Sequence, residues 1–251
     1  MQTNGLALIT GASRRIGRAI AERLAQENYD LALHCSERSQ DEAKRLADSL
    51  QKKGVRVEVF TADLGDAVAV QALIPQITQQ WQAPIVLINN ASVFENDSAD
   101  LVDPAFFDRM MAVNLRAPAL LAASFAQALQ PTGQGVIINL IDQRVWKLTP
   151  QFYSYTLSKA ALWAATQTMA QSFAPHIRVN AIGPGPVLPN GPQGEGAFAK
   201  EVAGLPLARS VAPEEIAAAV AYLLAARSVT GQMIAVDGGQ HLGWRTPDII
   251  D

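Results

Sequence analysis

The chain has 251 residues, of which 49% are hydrophobic and 17% are charged, and its formal net charge is −3. This length allows one or two domains, and the apolar composition supports a large buried core. The acidic balance argues against nucleic acid or an anionic membrane surface as the main partner. The single cysteine, Cys35, excludes an internal disulfide and is typical of a reducing compartment, so a cytoplasmic protein is expected.

Three further classes of feature are not expected from the sequence. No basic segment precedes the first apolar run, so no signal peptide is predicted. The longest apolar stretch, residues 216–226, is well short of the ~20 residues that cross a bilayer. The three histidines have no ligand-like spacing, and no metal site is predicted.

The chain opens on a strand, a glycine turn and a helix. Residues 6–10 form a wholly apolar run, and the turn from Gly11 to Gly17 precedes a segment with helical periodicity. A glycine turn at this place lets the backbone approach a phosphate, and the helix N-terminus favours the phosphate charge. The sequence therefore predicts a dinucleotide phosphate site, with a plain βα turn as the alternative.

The end of the second predicted strand bears on the choice between NAD and NADP. This strand covers residues 29–34, and an NAD-binding enzyme typically has an acid at its tip for the ribose hydroxyls. Here the tip is Cys35, and Arg14 and Arg38 lie where a 2′-phosphate could be paired by a bidentate guanidinium. NADP(H) is therefore the predicted cofactor. Glu37 weakens the argument, and the alternative is that Arg38 lies on a solvated loop.

Strand-like and helix-like segments alternate along the remaining chain. Further strands are predicted at residues 55–62, 84–88, 135–141, 176–182 and 233–236, and helices at residues 41–53, 68–81, 106–125, 198–203 and 213–226. This alternation predicts an α/β fold, a single Rossmann-type domain over residues 1–251 with a doubly wound parallel sheet and helices on both faces.

Several chemically distinctive residues directly follow predicted strands. Gly11, Asn90, Asp142 and Gly183 each occupy such a position. Ligands of doubly wound sheets bind at the carboxyl ends of the strands, so we expect these residues to share one crevice. The Gly- and Pro-rich segment after Gly183 predicts a substrate loop at about residues 183–203, with a passive connection as the alternative.

Two polar features fall on predicted helices. Tyr155 and Lys159 are four residues apart, so a helix places them on one face. An ammonium close to the phenol is expected to lower the tyrosine pKa by roughly two or three units, whereas an ionised Asp142 nearby would oppose this by raising it. The alternative is a half-buried tyrosine beside a solvated lysine. Asn114, inside the predicted helix 106–125, is either a structural cap on a neighbouring strand or part of a proton path.

Taken together, these motifs resemble the short-chain dehydrogenase/reductase family over essentially the whole chain. The matching residues are Thr10, Gly11, Gly17, Asp63, Asn89, Asn90, Ala91, Asn114, Tyr155, Lys159, Asn180, Pro184, Gly185, Asp237, Gly238 and Gly239. The resemblance implies a sheet of about seven strands, a homotetramer, and a catalytic group of Asn114, Tyr155, Lys159 and the residue at 142. It implies that Tyr155 donates a proton, that Lys159 binds the nicotinamide ribose, that Asn114 holds a water and that Asp63 meets the adenine.

The cofactor-binding set that this resemblance implies surrounds the glycine turn and the strand ends. Its members are Gly11, Ser13, Arg14, Ile16, Gly17, His34, Ser36, Arg38, Asp63, Leu64, Asn90, Ala91, Ser92, Tyr155, Lys159, Pro184, Gly185 and Val187.

Three departures from the usual family pattern resemble the pteridine reductases. Arg15 replaces a glycine of the turn, Ser92 replaces the glycine after Asn-Asn-Ala, and Asp142 replaces the usual serine thirteen residues before Tyr155. The resemblance implies that Arg15 faces a pterin, that Ser92 and Phe94 hold the ring against the nicotinamide, and that Asp142 and Tyr155 form a donor pair. The substrate-binding residues are then Arg15, Ser92, Phe94, Asp142 and Tyr155.

Three functions remain open from the sequence. The leading hypothesis is an NADPH-dependent reductase of a pterin-like substrate, a dihydropterin or dihydrofolate, in which Tyr155 and Asp142 supply the proton. The second is a carbonyl reductase acting on a keto-acyl thioester, a sugar or a small ketone. The third is a non-catalytic NADPH-binding subunit, against which the intact Tyr155 and Lys159 argue.

Overall fold

A computed structural model describes residues 3–129, 133–189 and 194–244, and it has seven parallel strands in one sheet. The strand order is β3-β2-β1-β4-β5-β6-β7, so the sheet is doubly wound and reverses between β1 and β4. The strands are β1 Leu6–Ile9, β2 Asp30–Cys35, β3 Val57–Thr61, β4 Val86–Asn89, β5 Gly135–Leu140, β6 Ile177–Pro184 and β7 Met233–Val236. The predicted single-domain α/β fold with seven strands is confirmed.

Helices cover both faces of the sheet. They are α1 Arg15–Gln26, α2 Gln40–Gln51, α3 Ala67–Gln80, α4 Pro104–Met111, α5 Ala117–Ala128, α6 Tyr153–Ser172, α7 Gly194–Ala203 and α8 Pro213–Ala225. On one face α1, α2 and α8 pack over a cluster that includes Ile9, Leu24 and Ile216, all fully buried. On the other face α3 and α5 pack over Leu8, Ile74 and Phe125, which are buried equally well. The two clusters hold the central strands rigid from both sides.

The strands form where the chain is mainly apolar. All four residues of β1 and all six of β2 are buried, as expected for parallel strands covered on both faces. Helix ends follow familiar capping chemistry. Asp66 caps α3 by accepting from the Val68 amide, and Asp103 caps α4 by accepting from the Phe106 amide. These caps explain why the predicted boundaries lie close to the observed ones.

The long helix predicted at residues 106–125 is not continuous. A single π-helical turn, residues 112–116, separates α4 from α5, and Asn114 lies within it. Such turns are rare and occur often at functional sites. The prediction was wrong here because hydrophobic periodicity does not reveal one extra residue in a turn.

Two other boundaries differ from the prediction. Gly183 lies inside β6, which extends to Pro184, rather than directly after the strand. The helix predicted to begin at residue 198 begins at Gly194. Part of the predicted substrate loop, residues 190–193, lies outside the described residues. Within the ranges that the structure covers, no helix is both long enough and apolar enough to cross a membrane.

Candidate active site

A cavity of about 590 Å³ lies at the carboxyl edge of the sheet, where the strand order reverses. Its volume is in the range of small-molecule and cofactor sites. The candidate residues that line it are Gly11, Ser13, Arg14, Arg15, Ile16, Gly17, His34, Ser36, Asp63, Leu64, Asn90, Ala91, Ser92, Phe94, Asp142, Tyr155, Lys159, Pro184, Gly185 and Val187. Arg38 and Asn114 do not line it. The crevice expected from the strand ends therefore exists, and Gly11, Asn90 and Asp142 line it, whereas Gly183 does not.

The glycine turn packs tightly against the loop after β4, the strand that neighbours β1 in the sheet. A Cβ atom on Gly17 would lie 2.2 Å from the Gly11 carbonyl oxygen, and Gly11 has a φ of +62°. The Asn90 amide group donates to the Thr10 and Gly11 carbonyls at 2.8 and 3.0 Å. The glycine turn leads directly into the first turn of α1, and both line the cavity. This arrangement fits a dinucleotide phosphate, because helix N-terminal amides and a glycine backbone are its usual partners.

His34 holds the other side of the glycine turn and is 2% exposed. Its Nδ1 accepts from the Gly11 amide at 3.3 Å, and its Nε2 lies 3.1 Å from the Ala62 carbonyl oxygen. Desolvation lowers the pKa of His34 to about 4, although its hydrogen bond to the Ala62 carbonyl opposes the shift. His34 therefore positions the turn as a neutral side chain.

Replacing His34 by glutamine should make the protein less sensitive to acid. The folded histidine resists protonation until about pH 4, whereas the unfolded one binds a proton near pH 6.5, so stability is lost as pH falls through that window. The loss attributable to His34 between pH 7 and pH 4.5 is about 2 kcal/mol. Urea unfolding at pH 7 and at pH 4.5 measures it. His176→Gln, at an exposed histidine, is the control. If the free energy of unfolding falls with pH as steeply in His34→Gln as in the wild type, the expectation is contradicted.

The wall of the cavity near β2 carries Arg14, Ser36 and Asp63, all with exposed side chains. Arg38 lies in the short turn after β2 and does not line the cavity. The expected arginine pair at a 2′-phosphate is therefore reduced to Arg14 in this structure. The sequence could not distinguish the two, because the side-chain direction depends on the turn at residues 37–39.

Asn114 is fully buried and joins the loop after β4 to α6. Its Oδ1 accepts from the Ser92 hydroxyl and the Val93 amide at 3.1 and 2.9 Å. Its Nδ2 donates to the Val93 carbonyl and to the Ser158 hydroxyl at 2.9 and 3.1 Å. These four contacts use the full hydrogen-bonding capacity of an amide. The geometry favours the structural alternative for Asn114, and its water-holding role stays a prediction.

The centre of the cavity contains Asp142, Tyr155 and Lys159. The Tyr155 hydroxyl donates to Asp142 Oδ2 at 3.0 Å, and the Arg144 amide donates to Asp142 Oδ1 at 2.8 Å. Lys159 is 2% exposed, and its ammonium donates to the Leu140 carbonyl at 2.8 Å. The ammonium lies 5.7 Å from the centroid of the Tyr155 ring. Tyrosine, aspartate and lysine therefore form a compact group, and the direct contact within it is between Tyr155 and Asp142.

The expected lowering of the Tyr155 pKa is wrong for this structure. Desolvation and then the charge of Asp142 raise the pKa of Tyr155 well above its usual value. Desolvation also raises the pKa of Asp142, against the Arg144 amide that lowers it. The pKa of Lys159 falls to about 8 through desolvation, although Asp142 opposes the shift. Because Lys159 turns towards Leu140, Asp142 is the neighbour that dominates the phenol.

An aromatic wall extends from Tyr155 along one side of the cavity. The rings of Phe94 and Phe152 are stacked, with centroids 4.4 Å apart and planes 7° from parallel. Phe94 also meets Tyr155 edgewise at 4.6 Å. Phe152 therefore covers one face of Phe94, and a flat substrate ring has only the remaining face for stacking.

Arg15 links the glycine turn to the predicted substrate loop. Its guanidinium donates to the Leu188 and Pro189 carbonyls, both at 3.1 Å, and its backbone φ is +53°. A positive φ is uncommon outside glycine and is often kept at functional positions. Arg15 lines the cavity as expected, but in this structure its donors are directed at loop carbonyls.

Sequence reasoning missed several residues of the cavity wall. Among them are Gln143, Arg144, Phe152, Glu201 and Gln240. The first two follow Asp142 directly, and Phe152 precedes the helix that carries Tyr155, so proximity in sequence was an available signal. Glu201 and Gln240 come from α7 and the turn after β7, and only the tertiary fold places them here.

Comparison with known proteins agrees with this architecture. The chain matches the enoyl-(acyl carrier protein) reductase family over residues 11–241. The FolM alternative dihydrofolate reductase 1 from Brucella suis, in complex with NADP, is 47% identical, with 100% of both chains covered and a TM-score of 0.95. The corresponding Brucella canis protein, also complexed with NADP, is 46% identical over 99% of this chain and 98% of its own, with a TM-score of 0.92.

One relative is named for an activity other than dihydrofolate reduction. The 3-oxoacyl-[acyl-carrier-protein] reductase FabG of Staphylococcus aureus (strain Mu50) is 30% identical over 247 residues, which are 96% of this chain and 100% of the relative. These matches cover nearly the whole chain, and the glycine turn, the Asn90 loop and the Tyr155–Lys159 helix stand where the family resemblance places them. The chain therefore belongs to the short-chain dehydrogenase/reductase family of oxidoreductases.

Proposed function

We propose that this oxidoreductase is an NADPH-dependent reductase of a dihydropterin or dihydrofolate. The glycine turn and the α1 N-terminus would hold the diphosphate, Arg14 and Ser36 the 2′-phosphate, and Lys159 the nicotinamide ribose. Two properties of the cavity support NADP(H): it has no acid at the tip of β2, and Arg14 lines it there. The FolM structures solved with NADP support the same cofactor.

The observation that carries the substrate proposal is the hydrogen bond between the Tyr155 hydroxyl and Asp142 Oδ2 at 3.0 Å. A ketone offers one oxygen, for which a serine hydroxyl is a sufficient partner. A pterin ring offers an amino group and ring nitrogens, and a carboxyl group can accept from them or pass a proton to them. Phe94 and Ser92 line the same space and present one ring face and one hydroxyl to a flat heterocycle. The resemblance to FolM supports this reading.

The proton for the reduced ring comes from the Asp142–Tyr155 pair. Bound NADPH would supply a hydride equivalent to the carbon of a ring C=N bond, whose nitrogen then needs a proton. Tyr155 keeps its proton at neutral pH because its pKa is raised, and it can give that proton to the nitrogen. The Arg144 amide fixes Oδ1 of Asp142, so Oδ2 faces Tyr155. Asp142 Oδ2, 3.0 Å from the Tyr155 hydroxyl, is within reach to return a proton to the phenolate whenever the carboxyl group carries one.

We also propose that the predicted substrate loop takes part in substrate binding, and that the enzyme is a cytoplasmic homotetramer. Leu188, Phe198 and Glu201, all from residues 183–203, line the cavity, which supports a role of this segment in substrate binding. A homotetramer is what the family resemblance implies, and a cytoplasmic location is what the cysteine usage favours.

Steady-state oxidation of NADPH in the presence of dihydrobiopterin, dihydrofolate and dihydromonapterin tests the substrate class. Turnover of at least one of these compounds is expected. If none is reduced, the pterin assignment fails, although the fold and family do not.

A second candidate, a carbonyl reductase of a keto-acyl substrate, is favoured by the similarity to FabG. A 3-oxoacyl thioester and a small ketone assayed beside the pterins separate the two candidates. Faster turnover of the thioester than of any pterin would favour this second function.

Replacing Arg14 by alanine should reduce the preference for NADPH over NADH by about 10- to 100-fold, because a charge-assisted phosphate contact is lost. Dissociation constants for both cofactors, measured by quenching of tryptophan fluorescence, give the ratio. Arg38→Ala is the matched control, since Arg38 does not line the cavity. Tighter binding of NADH than of NADPH by the unmodified protein would contradict the cofactor proposal.

A further inference from the structure

We propose that Arg144 determines specificity by binding an anionic group on the tail of the substrate, of the kind that the carboxylates of dihydrofolate provide. This inference rests on the proposed function. Arg144 lies two residues after Asp142 and lines the same cavity, where it is half-buried. A guanidinium in such a place suits a carboxylate, because its planar donors match the two carboxylate oxygens.

The guanidinium of Arg144 has donor capacity that the protein does not use. One NH group donates to the Thr149 hydroxyl at 2.9 Å, while Nε is buried without a hydrogen-bond partner. Among the described residues, none of the ion pairs involves Arg144. A buried donor without a partner is costly, and it shows that the protein leaves the hydrogen-bonding capacity of this guanidinium unsaturated.

The aromatic wall places Arg144 where a substrate tail would pass. The guanidinium carbon lies 4.9 Å from the centroid of Phe152, which stacks on Phe94, which in turn meets Tyr155. A ring reduced beside Tyr155 and lying along this wall projects its substituents towards Phe152 and Arg144. Phe152 has a φ of +57°, an unfavourable conformation that the Asn96 side chain holds by accepting from the Phe152 amide at 3.0 Å.

Three other charged side chains near this wall already have hydrogen-bond partners. Asp142 already accepts from Tyr155 and the Arg144 amide, and Glu201 accepts from the Gln240 amide group at 2.8 Å. Both carboxylates repel an anion. Arg15 donates to the Leu188 and Pro189 carbonyls, so both terminal nitrogens of its guanidinium already have hydrogen-bond partners. Arg144 is thus the cation of this wall with an unused donor.

A different role for Arg144 makes a distinguishable prediction. Its charge lowers the pKa of both Asp142 and Tyr155, so it could act only by adjusting proton transfer. That role would change kcat for every substrate alike. Recognition of a tail would instead change KM for substrates that carry the anion.

The test compares dihydrofolate, which carries carboxylates, with dihydrobiopterin, whose side chain is uncharged. In Arg144→Met the KM for dihydrofolate should rise about 10- to 100-fold, and any change in kcat caused by the lost charge should be the same for dihydrofolate and dihydrobiopterin. The KM for dihydrobiopterin should change less than about threefold, since it lacks the anion. Equal changes in KM for both substrates, an effect on kcat alone, or no effect would each overturn the inference.

Two more variants define the contact. Arg144→Lys keeps the positive charge but loses the planar guanidinium with its paired donors. Its KM for dihydrofolate should therefore lie between those of the wild type and Arg144→Met. Arg18→Met removes an arginine that pairs with Glu22 on the outside of α1, and the KM should not change. All variants retain the backbone amide that holds Asp142, and unchanged melting temperatures would show that they fold.

Binding of 4-aminobenzoylglutamate to the NADP-bound enzyme separates this inference from the proposed function. The compound has the anionic tail but no pterin, and calorimetry should show binding that weakens about tenfold in Arg144→Met. If the wild type reduces no pterin, the proposed function fails, yet binding that depends on Arg144 would still support the anion subsite. Absent binding, or binding that does not depend on Arg144, would overturn it.

Discussion

Replacing Asp142 by serine should lower kcat/KM for a dihydropterin by about 10²- to 10³-fold, the range of a lost general acid. The variant removes the carboxylate that accepts from Tyr155 at 3.0 Å and that can exchange a proton with a ring nitrogen. A serine hydroxyl can still polarise a carbonyl oxygen. Activity on a small ketone or a 3-oxoacyl thioester should therefore be kept or gained. Parallel steady-state assays on a dihydropterin and a 3-oxoacyl thioester measure both effects.

The matched control for this change is Asp142→Asn, which keeps the shape of the side chain and removes its ability to ionise and to transfer a proton. Its pterin activity should fall as far as that of Asp142→Ser. The pKa of Tyr155 should also fall, since the charge of Asp142 is one of the causes that raise it. Retention of full pterin activity in Asp142→Ser would refute the donor pair. An equal loss on both substrate classes would show that Asp142 only shapes the site.

The fold could be predicted because each element has a strong local signal. β1 and β2 consist almost entirely of side chains that are buried on both faces, and their turns contain glycine or a cap. The parallel order then follows from alternation with helices and from the right-handed crossover. The π-turn at Asn114 had no such signal, because one added residue changes the hydrogen-bond pattern without changing the hydrophobic period.

The members of the site could be predicted better than their contacts. Chain positions at strand ends identified Gly11, Asn90 and Asp142, since topology alone brings strand ends together. The direction in which a long side chain points is decided by tertiary packing. Lys159 was therefore expected beside the phenol but donates to the Leu140 carbonyl. In the same way the stacking of Phe152 on Phe94 depends on how the loops after β4 and β5 fold over each other.

The buried ammonium of Lys159 should make the enzyme less stable than a variant without it. Lys159→Met should lower kcat by about 10²-fold, since a preorganised charge leaves the active site. The same change should raise the free energy of unfolding at pH 7 by about 2 kcal/mol. A lowered lysine pKa is a penalty of about 3 kcal/mol on the charged folded state, and the lost hydrogen bond to Leu140 offsets about 1 kcal/mol of the gain.

The pH dependence identifies the cause of this difference. The folded protein releases the Lys159 proton near pH 8, whereas the unfolded chain keeps it to about pH 10.4, so wild-type stability rises with pH across that window. Lys159→Met has no such rise, so its advantage of about 2 kcal/mol at pH 7 should become a disadvantage of about 1 kcal/mol at pH 10.5. Urea unfolding of the cofactor-free proteins, followed by circular dichroism, measures it, and Lys53→Met at an exposed lysine is the control. A variant that is less stable than the wild type at pH 7, or a difference that does not vary with pH, would show that Lys159 is not held as a strained cation.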